Sequence, residues 1–250
     1  MPSESIVLPV IGQDGTYTVR PSKIIALGLN YRDHIAESLS VMARGFNMDE
    51  PDEPVLFPKL PSVLIGPDQP IVLPAIVESY GFDEPRTDYE AELAIIMGST
   101  CRNVSASEAP GCVFGYTCMN DVSQRNIQNA DRAGWFRGKS FDTFGPIGPA
   151  VLPAGSCRDV QNLDILCRLN GEIVQSSNTR NMIFAVAETI SFISRNFTLY
   201  ADDIILTGTP SGIGPLKPGD SVEIEISEIG ILRNPVVSEM SSTIRDGTVE

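Results

Sequence analysis

Two glutamates stand two positions apart in front of an apolar run, and their type and spacing suit metal binding. Glu90 and Glu92 lead into residues 93–97, a run typical of a strand buried on both faces. Since side chains alternate along a strand, both carboxylates are predicted to point to one face. Neighbouring buried carboxylates repel each other and lose hydration, and a divalent cation would offset both costs. The alternative is a pair of exposed glutamates at a strand edge, because a motif this short is a weak signal.

A third carboxylate and a histidine add to the chemical inventory. Asp121 ends a second apolar run, residues 113–122, and repeats the pattern of a carboxylate where a core strand meets a loop. His34 is the only histidine of the chain. It stands three positions before Glu37 in a segment predicted to be helical, so the two side chains can touch. A lone helical histidine is also a common surface or half-buried residue, and only geometry can establish it as a base.

Two lysines lie in unusual surroundings. Lys59 stands among apolar residues and must either extend to water or meet an anion. Its segment, residues 54–62, is so rich in proline that an irregular or edge path is predicted. Lys139 belongs to residues 138–149, which contain too many breakers for a regular element, so a loop position is predicted. Residues 207–215 contain three glycines that would let the backbone approach a ligand, although a plain structural loop fits equally well.

Strands predominate among the elements that must position these side chains. A hairpin around Asp14-Gly15 is predicted within residues 1–22, and Asn170-Gly171 is the strongest short hairpin signal in the chain. Residues 42–54 and 78–87 are polar and rich in breakers, so both are predicted to be exposed connections, the first a potential hinge. Further elements are predicted as strands at 23–28, 113–122, 204–206 and 222–226 and as an amphipathic helix at 181–194.

Composition and charge exclude several classes of protein. The 250 residues are 42% hydrophobic, which is enough for a sizeable core. A net charge of -14 argues against nucleic acid and against an anionic membrane surface as partners. Five cysteines without a CxxC pair, together with the lack of a signal segment, predict a reduced cytoplasmic protein with free thiols. No apolar run approaches the ~20 residues needed to cross a bilayer.

Seven blocks of the sequence resemble, in order and spacing, the pattern of the fumarylacetoacetate hydrolase family. The resemblance extends from about residue 23 to residue 237. The blocks are GLNYRDH (28–34), PVLFPK (54–59), YEAEL (89–93), ND (120–121), GKSFD (138–142), LNG (169–171) and the segment 204–210, which ends in TGTP. Seven blocks in register lie far beyond chance, so the resemblance outweighs the weakness of each motif alone.

The resemblance implies a role for each candidate residue. Glu90, Glu92 and Asp121 would be the ligands of Mg²⁺ or Mn²⁺. His34 and Glu37 would form a catalytic dyad on a lid that orders when substrate binds. Lys139 would be catalytic as well, facing the metal-bound substrate. The substrate-binding residues would be Tyr31, Lys59, Arg125, Gln128, Gly208 and Thr209.

The resemblance also implies a fold and an assembly. The fold would be α+β, a mixed β-sandwich roll, and the protein would be a homodimer. Residues 1–50 are predicted to form a small N-terminal segment with the lid helix, and residues 51–250 the catalytic domain. The lid itself is predicted to cover residues 31 to about 54, closing over bound substrate. Residues 39–54 and 78–87 vary among members with different substrates and do not identify the substrate here.

The chemistry of such a site agrees with the resemblance. Three hard oxygen donors suit Mg²⁺ and leave positions for water or a chelating 2-oxo acid. The leading hypothesis is a hydrolase that cleaves a carbon–carbon bond in an acylpyruvate or related 2,4-dioxo acid and releases pyruvate, with His34 activating water. The alternatives are an oxaloacetate decarboxylase, a hydroxymuconate-type dienoate isomerase, and a binding module that keeps the metal site without turnover.

Overall fold

The computed structural model describes residues 5–37, 50–132 and 134–239, and most of its regular structure is β-strand. The strands are β1 (Val7–Pro9), β2 (Thr16–Thr18), β3 (Ile24–Gly28), β4 (Val55–Lys59), β5 (Leu64–Ile65), β6 (Ile71–Leu73), β7 (Thr87–Tyr89), β8 (Ala91–Met97), β9 (Val113–Asn120), β10 (Ser123–Gln124), β11 (Gly145–Pro153), β12 (Asp164–Leu169), β13 (Glu172–Asn178), β14 (Ile204–Leu206), β15 (Gly214–Pro215), β16 (Ser221–Ile226) and β17 (Gly230–Ser238).

The helices of these ranges are short. They are α1 (Arg32–Glu37), α2 (Arg125–Ala130), α3 (Phe136–Lys139) and α4 (Val186–Asn196), together with 3₁₀ turns at Pro61–Val63, Ala75–Tyr80, Ala109–Cys112, Val160–Asn162 and Thr179–Asn181. In the part of the chain that the structure describes, none of the helices combines the length and the apolar character that a membrane span requires. All five cysteines are free thiols, as predicted.

Two large sheets form the body of the protein. A seven-stranded sheet has the order β4-β3-β14-β8-β9-β11-β5, and a five-stranded sheet has the order β13-β12-β16-β17-β6. Both sheets are mixed, since β3–β14, β5–β11 and β6–β17 pair in parallel and the other pairs are antiparallel. Strands β12, β16 and β17 pack on β8, β9 and β11, and the core lies between these two layers. The predicted α+β class with a curled, sandwich-like sheet is confirmed.

Strand β8 is the centre of the larger sheet. It lies between β14 and β9, and every one of its seven residues is buried, as the apolar run after Glu92 predicts. Strand β7, the middle strand of a three-stranded sheet β10-β7-β15, lies just ahead of it in the chain. The chain therefore passes from a small sheet into the core sheet at residue 90, which is where the carboxylates begin.

Several local predictions are confirmed. Strands β1 and β2 form the N-terminal hairpin, and β12 and β13 meet at Asn170-Gly171, whose positive φ angles of 53° and 87° suit a tight hairpin turn. Strand β4 lies at the edge of its sheet, where prolines are tolerated. In β16, buried and half-exposed residues alternate as predicted.

The prediction that residues 145–149 form no regular element is wrong, because they begin the nine-residue strand β11. The pairing of β11 with β9 shifts register between Gly148 and Leu152, so Pro149 lies outside the ladder and its missing N–H costs nothing there. Gly145 is needed for close packing, since a Cβ at this position would lie 2.5 Å from Val63 Cγ2. These breakers therefore shape a strand instead of ending one.

The long helix begins later than predicted. The sequence places it at residues 181–194, whereas α4 covers Val186–Asn196. Asn178 Oδ1 accepts a hydrogen bond from Arg180 N at 3.0 Å and closes a separate 3₁₀ turn. The helix then starts where Glu188 Oε2 accepts from Ala185 N at 3.0 Å.

One prediction falls partly outside the described residues. Residues 38–49, about half of the predicted lid, are not among them. The division of the chain at residue 50 stays a prediction as well. Strand β3 pairs with β4 on one side and β14 on the other, so residues 24–28 are part of the large sheet.

Candidate active site

The register of two central strands brings three carboxylates together. Glu90 lies between β7 and β8, Glu92 is the second residue of β8, and Asp121 follows the last residue of β9. Antiparallel pairing sets Ala91 opposite Asn120, and Asp121 N donates a hydrogen bond to Glu90 O at 2.9 Å. One carboxylate oxygen from each of the three acids lies within 4.8 Å of the other two, and all three side chains are buried.

This cluster refines the prediction made from spacing. The sequence places both glutamates on one strand, whereas Glu90 stands one residue ahead of β8, at the junction between the two sheets. The alternative of two exposed glutamates is wrong, since Glu90 and Glu92 are only 3% and 1% exposed. The apolar run after Glu92 is what carries both side chains into the interior.

Three basic side chains surround the carboxylates. Lys59 Nζ lies 2.5 Å from Asp121 Oδ1, so this buried lysine does meet an anion. Lys139 Nζ donates to Glu90 Oε2 at 2.6 Å and to Asp121 Oδ2 at 2.5 Å. Arg125 forms an ion pair with Glu90. Charge compensation therefore goes mainly to Glu90 and Asp121.

Glu92 receives much less compensation. In the described part of the chain, its carboxylate accepts one hydrogen bond, from Gly208 N at 2.7 Å. Burial, and then the charges of Asp121 and Glu90, raise its pKa well above the ordinary value. Burial also acts to raise the pKa of Glu90, but the charge of Arg125 opposes it and the net pKa is lowered. Ionisation of Glu92 is therefore disfavoured relative to an ordinary glutamate, and a bound cation would favour its ionised form.

The residues present fit a hard divalent cation. Three carboxylates supply oxygen ligands of the kind that Mg²⁺ and Mn²⁺ prefer, and the weakly compensated charge of Glu92 would be stabilised by a cation. Three buried polar atoms have no hydrogen-bond partner among the described residues, namely Tyr31 Oη, His34 Nδ1 and Asn120 Nδ2. Such atoms are rare in folded proteins and mark places where a ligand or water completes a site.

His34 faces the same site as the carboxylates. It lines a cavity of about 20 Å³ together with Glu90, Glu92, Lys139 and Thr209. Burial lowers the pKa of His34 to about 4, against an opposing effect of the Glu90 charge. The imidazole is therefore neutral at pH 7, and in this form it can accept a proton.

The partner predicted for His34 is less well defined. Glu37 ends helix α1, but its side chain lies outside the described residues, so the dyad stays a prediction. Tyr31 lies just ahead of α1 and is buried, and its backbone bridges Met182. Burial, and then the charge of Glu92, raise the pKa of Tyr31, which keeps its hydroxyl protonated.

The other predicted substrate-binding residues fall into two groups. Arg125 and Gln128 lie on α2, where Arg125 Nη1 donates to Gln128 Oε1 at 3.1 Å, and both line the cavity with Thr209. Lys59 and Gly208 instead contact the carboxylates, through Asp121 and Glu92 respectively. Contact with substrate stays a prediction for all of them.

The predicted loop position of Lys139 is wrong, because Lys139 is the last residue of helix α3. Glycine is a helix breaker in sequence, but the role of Gly138 here is close packing. A Cβ on Gly138 would lie 2.7 Å from Gln128 N and 2.8 Å from Gln124 O. The glycine lets α3 press against α2, and this contact holds Lys139 over the carboxylates.

Sequence reasoning missed three side chains that shape the site. Trp135 lines the cavity and occupies the space beside Gly28, where a Cβ would come within 2.2 Å of the indole ring. Asn30 Oδ1 accepts from Phe184 N at 2.7 Å and ties the turn before α1 to the body. Gln175 bridges the carboxylate strand and the Thr209 loop. Gly28 and Asn30 belong to the block GLNYRDH, whereas nothing in the local sequence singles out Gln175 or Trp135.

Comparison with known proteins agrees with this geometry. Residues 23–237 match the model of the fumarylacetoacetate (FAA) hydrolase C-terminal domain. The chain therefore belongs to the fumarylacetoacetate hydrolase family. The mitochondrial oxaloacetate tautomerase FAHD2A of Bos taurus is 41% identical over 226 residues, which is 87% of this chain and 67% of the bovine protein.

Two solved structures show the same fold. The 5-carboxymethyl-2-hydroxymuconate delta-isomerase of Mycobacterium smegmatis is 36% identical, with a TM-score of 0.75 over 90% of this chain and 81% of that one. The maleylpyruvate hydrolase of Sphingobium sp. SYK-6, in complex with manganese(II) ion and pyruvate, is 35% identical, with a TM-score of 0.72 over 88% of this chain and 72% of that one. The family thus contains a tautomerase, an isomerase and a hydrolase.

Proposed function

We propose that this protein is a divalent-metal-dependent enzyme that enolises a small 2-oxo acid, with keto–enol tautomerisation of oxaloacetate as its reaction. The observation that carries the proposal is a neutral, buried base beside a buried carboxylate cluster, since His34 shares one cavity with Glu90 and Glu92. Enolisation by a metal enzyme needs a Lewis acid and one base, and we assign the carboxylate cluster to hold the first and His34 to be the second. The 41% identity to an oxaloacetate tautomerase supports this reaction over the others.

Glu90, Glu92 and Asp121 would hold the Mg²⁺ or Mn²⁺. When bound, the cation would supply a Lewis acid that stabilises negative charge on the 2-oxo oxygen of the substrate. The manganese(II) ion and pyruvate in the maleylpyruvate hydrolase structure support this assignment.

The side chains of the chain perform the proton transfer. The neutral imidazole of His34 removes a proton from C3 of the 2-oxo acid, and the charge moves to the 2-oxo oxygen. Lys139 stays protonated, because the charges of Asp121 and Glu90 outweigh the burial that would lower its pKa. Its ammonium stabilises the charge that develops on that oxygen. His34 then returns the proton to the oxygen and yields the enol.

The same site orients the substrate and limits access of water. The guanidinium of Arg125 and the hydroxyl of Thr209 line the cavity and can bind a carboxylate. Arg125 pairs with Asp88 and Glu90. A cation held by Glu90 would release part of this pairing, and the guanidinium would then offer a counterion to the second carboxylate of a dicarboxylic acid such as oxaloacetate. A cavity of about 20 Å³ has room for about one water, so bulk water is excluded and a substrate can enter only if the surrounding side chains move apart.

Hydrolysis of an acylpyruvate is the second candidate. His34 Nδ1 has no hydrogen-bond partner among the described residues, so the imidazole is available to activate a water, with Glu37 to orient it. The 35% identity to a maleylpyruvate hydrolase supports this reaction. Decarboxylation of oxaloacetate and isomerisation of a dienoate would use the same cluster, and the resemblance to a hydroxymuconate isomerase supports the latter.

A substrate panel separates these reactions. Oxaloacetate, acylpyruvates and hydroxymuconate analogues are followed by ultraviolet absorbance of the enol and by coupled detection of pyruvate, with Mg²⁺, Mn²⁺ or chelator. The proposal expects metal-dependent loss of the oxaloacetate enol without pyruvate. Pyruvate from an acylpyruvate would establish the hydrolase instead, and pyruvate with carbon dioxide from oxaloacetate the decarboxylase. His34→Ala should slow tautomerisation and hydrolysis by about 10² to 10⁴, while decarboxylation should be affected much less.

We also propose that the protein is a homodimer and that it is cytoplasmic. The family resemblance supports the dimer, and size-exclusion chromatography with light scattering tests it. The free thiols favour a reducing compartment. Since a 41% identical relative is mitochondrial, fractionation of the source cells is the direct test of location.

A further inference from the structure

The side-chain amide of Gln175 is buried between β8, the strand that carries Glu92, and residues 207–213, the loop that carries Thr209. It lies on β13, the outer strand of the five-stranded sheet, and is only 2% exposed. Its Oε1 accepts a hydrogen bond from Ala91 N at 3.0 Å, and Ala91 stands between the two glutamates of the cluster. Its Nε2 donates to Thr209 Oγ1 and to Pro210 O, both at 2.9 Å.

These three partners fix the orientation of the amide. A backbone N–H can only donate, so Ala91 N requires the oxygen of the amide. The carbonyl of Pro210 can only accept, so it requires the nitrogen. With both ends fixed, the second N–H of Gln175 must point at Thr209 Oγ1. The Thr209 hydroxyl is therefore the acceptor in this pair, and its own proton points elsewhere.

The loop that carries Thr209 packs closely on β13. Gly212 has a φ of +94°, and a Cβ there would lie 2.1 Å from Val174 O and 3.3 Å from Gln175 Cγ. Gly208 N donates to Glu92 Oε2 at 2.7 Å. Ala91, Glu92, Gly208, Thr209 and Gln175 thus form a closed ring of covalent and hydrogen bonds, in which the loop and the carboxylate strand keep a fixed distance.

The proton of the Thr209 hydroxyl, which Gln175 does not accept, can serve in substrate binding. Thr209 lines the same cavity as Glu90, Glu92 and His34, and its hydroxyl donates to no acceptor among the described residues. We infer that Gln175 is a positioning residue that holds the Thr209 hydroxyl as a hydrogen-bond donor toward a carboxylate oxygen of the substrate. This inference rests on the proposed function, because it requires a 2-oxo acid in the cavity.

Substitution by glutamate reverses the polarity of this pair with little change in shape. In Gln175→Glu the carboxylate still accepts a hydrogen bond from Ala91 N. It also accepts one from the Thr209 hydroxyl, which then no longer donates to the substrate. The probe is oxalate in the presence of Mg²⁺, measured by calorimetry. We expect the Kd of oxalate to rise by about 10- to 100-fold, the loss of one hydrogen bond to a charged group, and KM to rise more than kcat falls.

Gln161→Glu is the matched control. Gln161 also bridges two elements, since its Nε2 donates to Thr179 O at 2.6 Å and its Oε1 accepts from Val186 N at 3.0 Å, but it lies away from the cavity. We expect it to lower the melting temperature while the oxalate Kd stays at the wild-type value. Equal oxalate affinity in wild type and in folded Gln175→Glu would overturn the inference.

A double-mutant cycle separates positioning from simple charge repulsion. If Gln175 acts through Thr209, then Gln175→Glu adds little to the loss already caused by Thr209→Val. Full additivity would assign the effect to charge and overturn the inference.

Thr209→Ser keeps the hydroxyl and should keep oxalate affinity, whereas Thr209→Val should lose it. This pair decides the matter if Gln175→Glu does not fold, because unchanged affinity in Thr209→Val would overturn the inference directly. Failure of wild type to bind oxalate with Mg²⁺ would overturn the proposed function as well.

Discussion

The two ends of strand β14 show two solutions for a buried carboxylate. Asp203 stands immediately before the strand and is fully buried. At the other end, Thr207 and Gly208 leave the strand, and Gly208 N reaches Glu92. Burial acts to raise the pKa of both acids. For Asp203 the hydrogen bonds from Lys23, Ser22 and Tyr200 together outweigh burial and the pKa is lowered, whereas the pKa of Glu92 is raised further by its acidic neighbours.

The difference lies in the donors that the protein provides. Asp203 accepts from Ser22 N at 3.2 Å, from Ser22 Oγ at 2.6 Å, from Lys23 N at 3.2 Å and from Tyr200 N at 2.8 Å, and it also pairs with Lys23 Nζ. In the described part of the chain, Glu92 accepts from Gly208 N alone. Burial therefore does not mark a functional carboxylate. What marks Glu92 is that its hydrogen-bonding and charge requirements are left for a ligand to meet.

The largest effect is expected from removing the unsatisfied carboxylate. Glu92→Gln should weaken Mg²⁺ binding by more than ~100-fold. Even mutation of a residue that only hydrogen-bonds to a metal ligand lowers metal affinity by about 10- to 100-fold. Turnover should fall to the level seen with chelator, and the rise of melting temperature with Mg²⁺ should disappear. Thermal unfolding with increasing Mg²⁺ measures this. A metal-dependent shift that survives in Glu92→Gln would show that Glu92 is not a ligand.

Loss of the base should have the next largest effect. His34→Ala should slow turnover by about 10² to 10⁴ while the Mg²⁺-dependent rise of melting temperature stays intact. The pKa of His34 is lowered to about 4, so the imidazole stays neutral from pH 8 down to about pH 5. With saturating Mg²⁺, the acid limb of kcat/KM should lie near pH 4 or below. An acid limb at the ordinary histidine value of about 6.5 would contradict the buried, neutral base.

The sequence predicts the three carboxylates of the candidate metal site better than it predicts the residues that hold them in place. Glu90, Glu92 and Asp121 could be found because each stands where an apolar run meets a polar residue, and that pattern fixes both burial and direction. Lys59 could be predicted to meet an anion, because a lysine among apolar residues has few alternatives. These are local signals, and local patterning determines them.

The remainder depends on contacts between distant parts of the chain. Gly138 counts as a breaker in sequence, and only the packing of α3 on α2 shows that it allows a close approach. Gln175 lies 34 residues from Thr209 and 84 residues from Ala91, so no spacing could connect them. Asp203 looks like an ordinary turn residue until residues 22–23 fold against it. Side-chain roles that are created by tertiary contacts leave no local pattern.

At the Asp203 end of β14, removing the carboxylate charge should lower the stability of the protein without changing its affinity for Mg²⁺. Asp203→Asn replaces an acceptor of several hydrogen bonds with an amide that presents N–H groups to the same donors. We expect a loss of about 2 to 3 kcal/mol in the free energy of unfolding, measured in urea. Mg²⁺ affinity should stay at the wild-type value. A variant as stable as wild type would mean that the donors around Asp203 find other partners, and the contrast with Glu92 would weaken.

The smallest effect is a dependence of stability on pH that separates the two carboxylates. A folded-state pKa raised above the unfolded value favours folding below the unfolded value, and this stability is lost as pH rises through the folded pKa. Without metal, wild type should therefore lose stability relative to Glu92→Gln as pH rises above about 4.5, by up to about 1.4 kcal/mol per pH unit. Taking the difference between the two proteins cancels the contribution of His34 to stability, which acts in the opposite direction between pH 4 and 6.5 because its pKa is lowered.

Asp203→Asn should keep the wild-type slope in this range, because the pKa of Asp203 is lowered and its contribution disappears only at lower pH. Urea unfolding in chelator from pH 5 to 8 measures the slope for both proteins. Saturating Mg²⁺ should remove the Glu92 contribution from the wild-type slope by holding Glu92 ionised, and leave the contribution of His34. A wild-type slope identical to that of Glu92→Gln in chelator would show that Glu92 is already ionised and that the protein itself satisfies it.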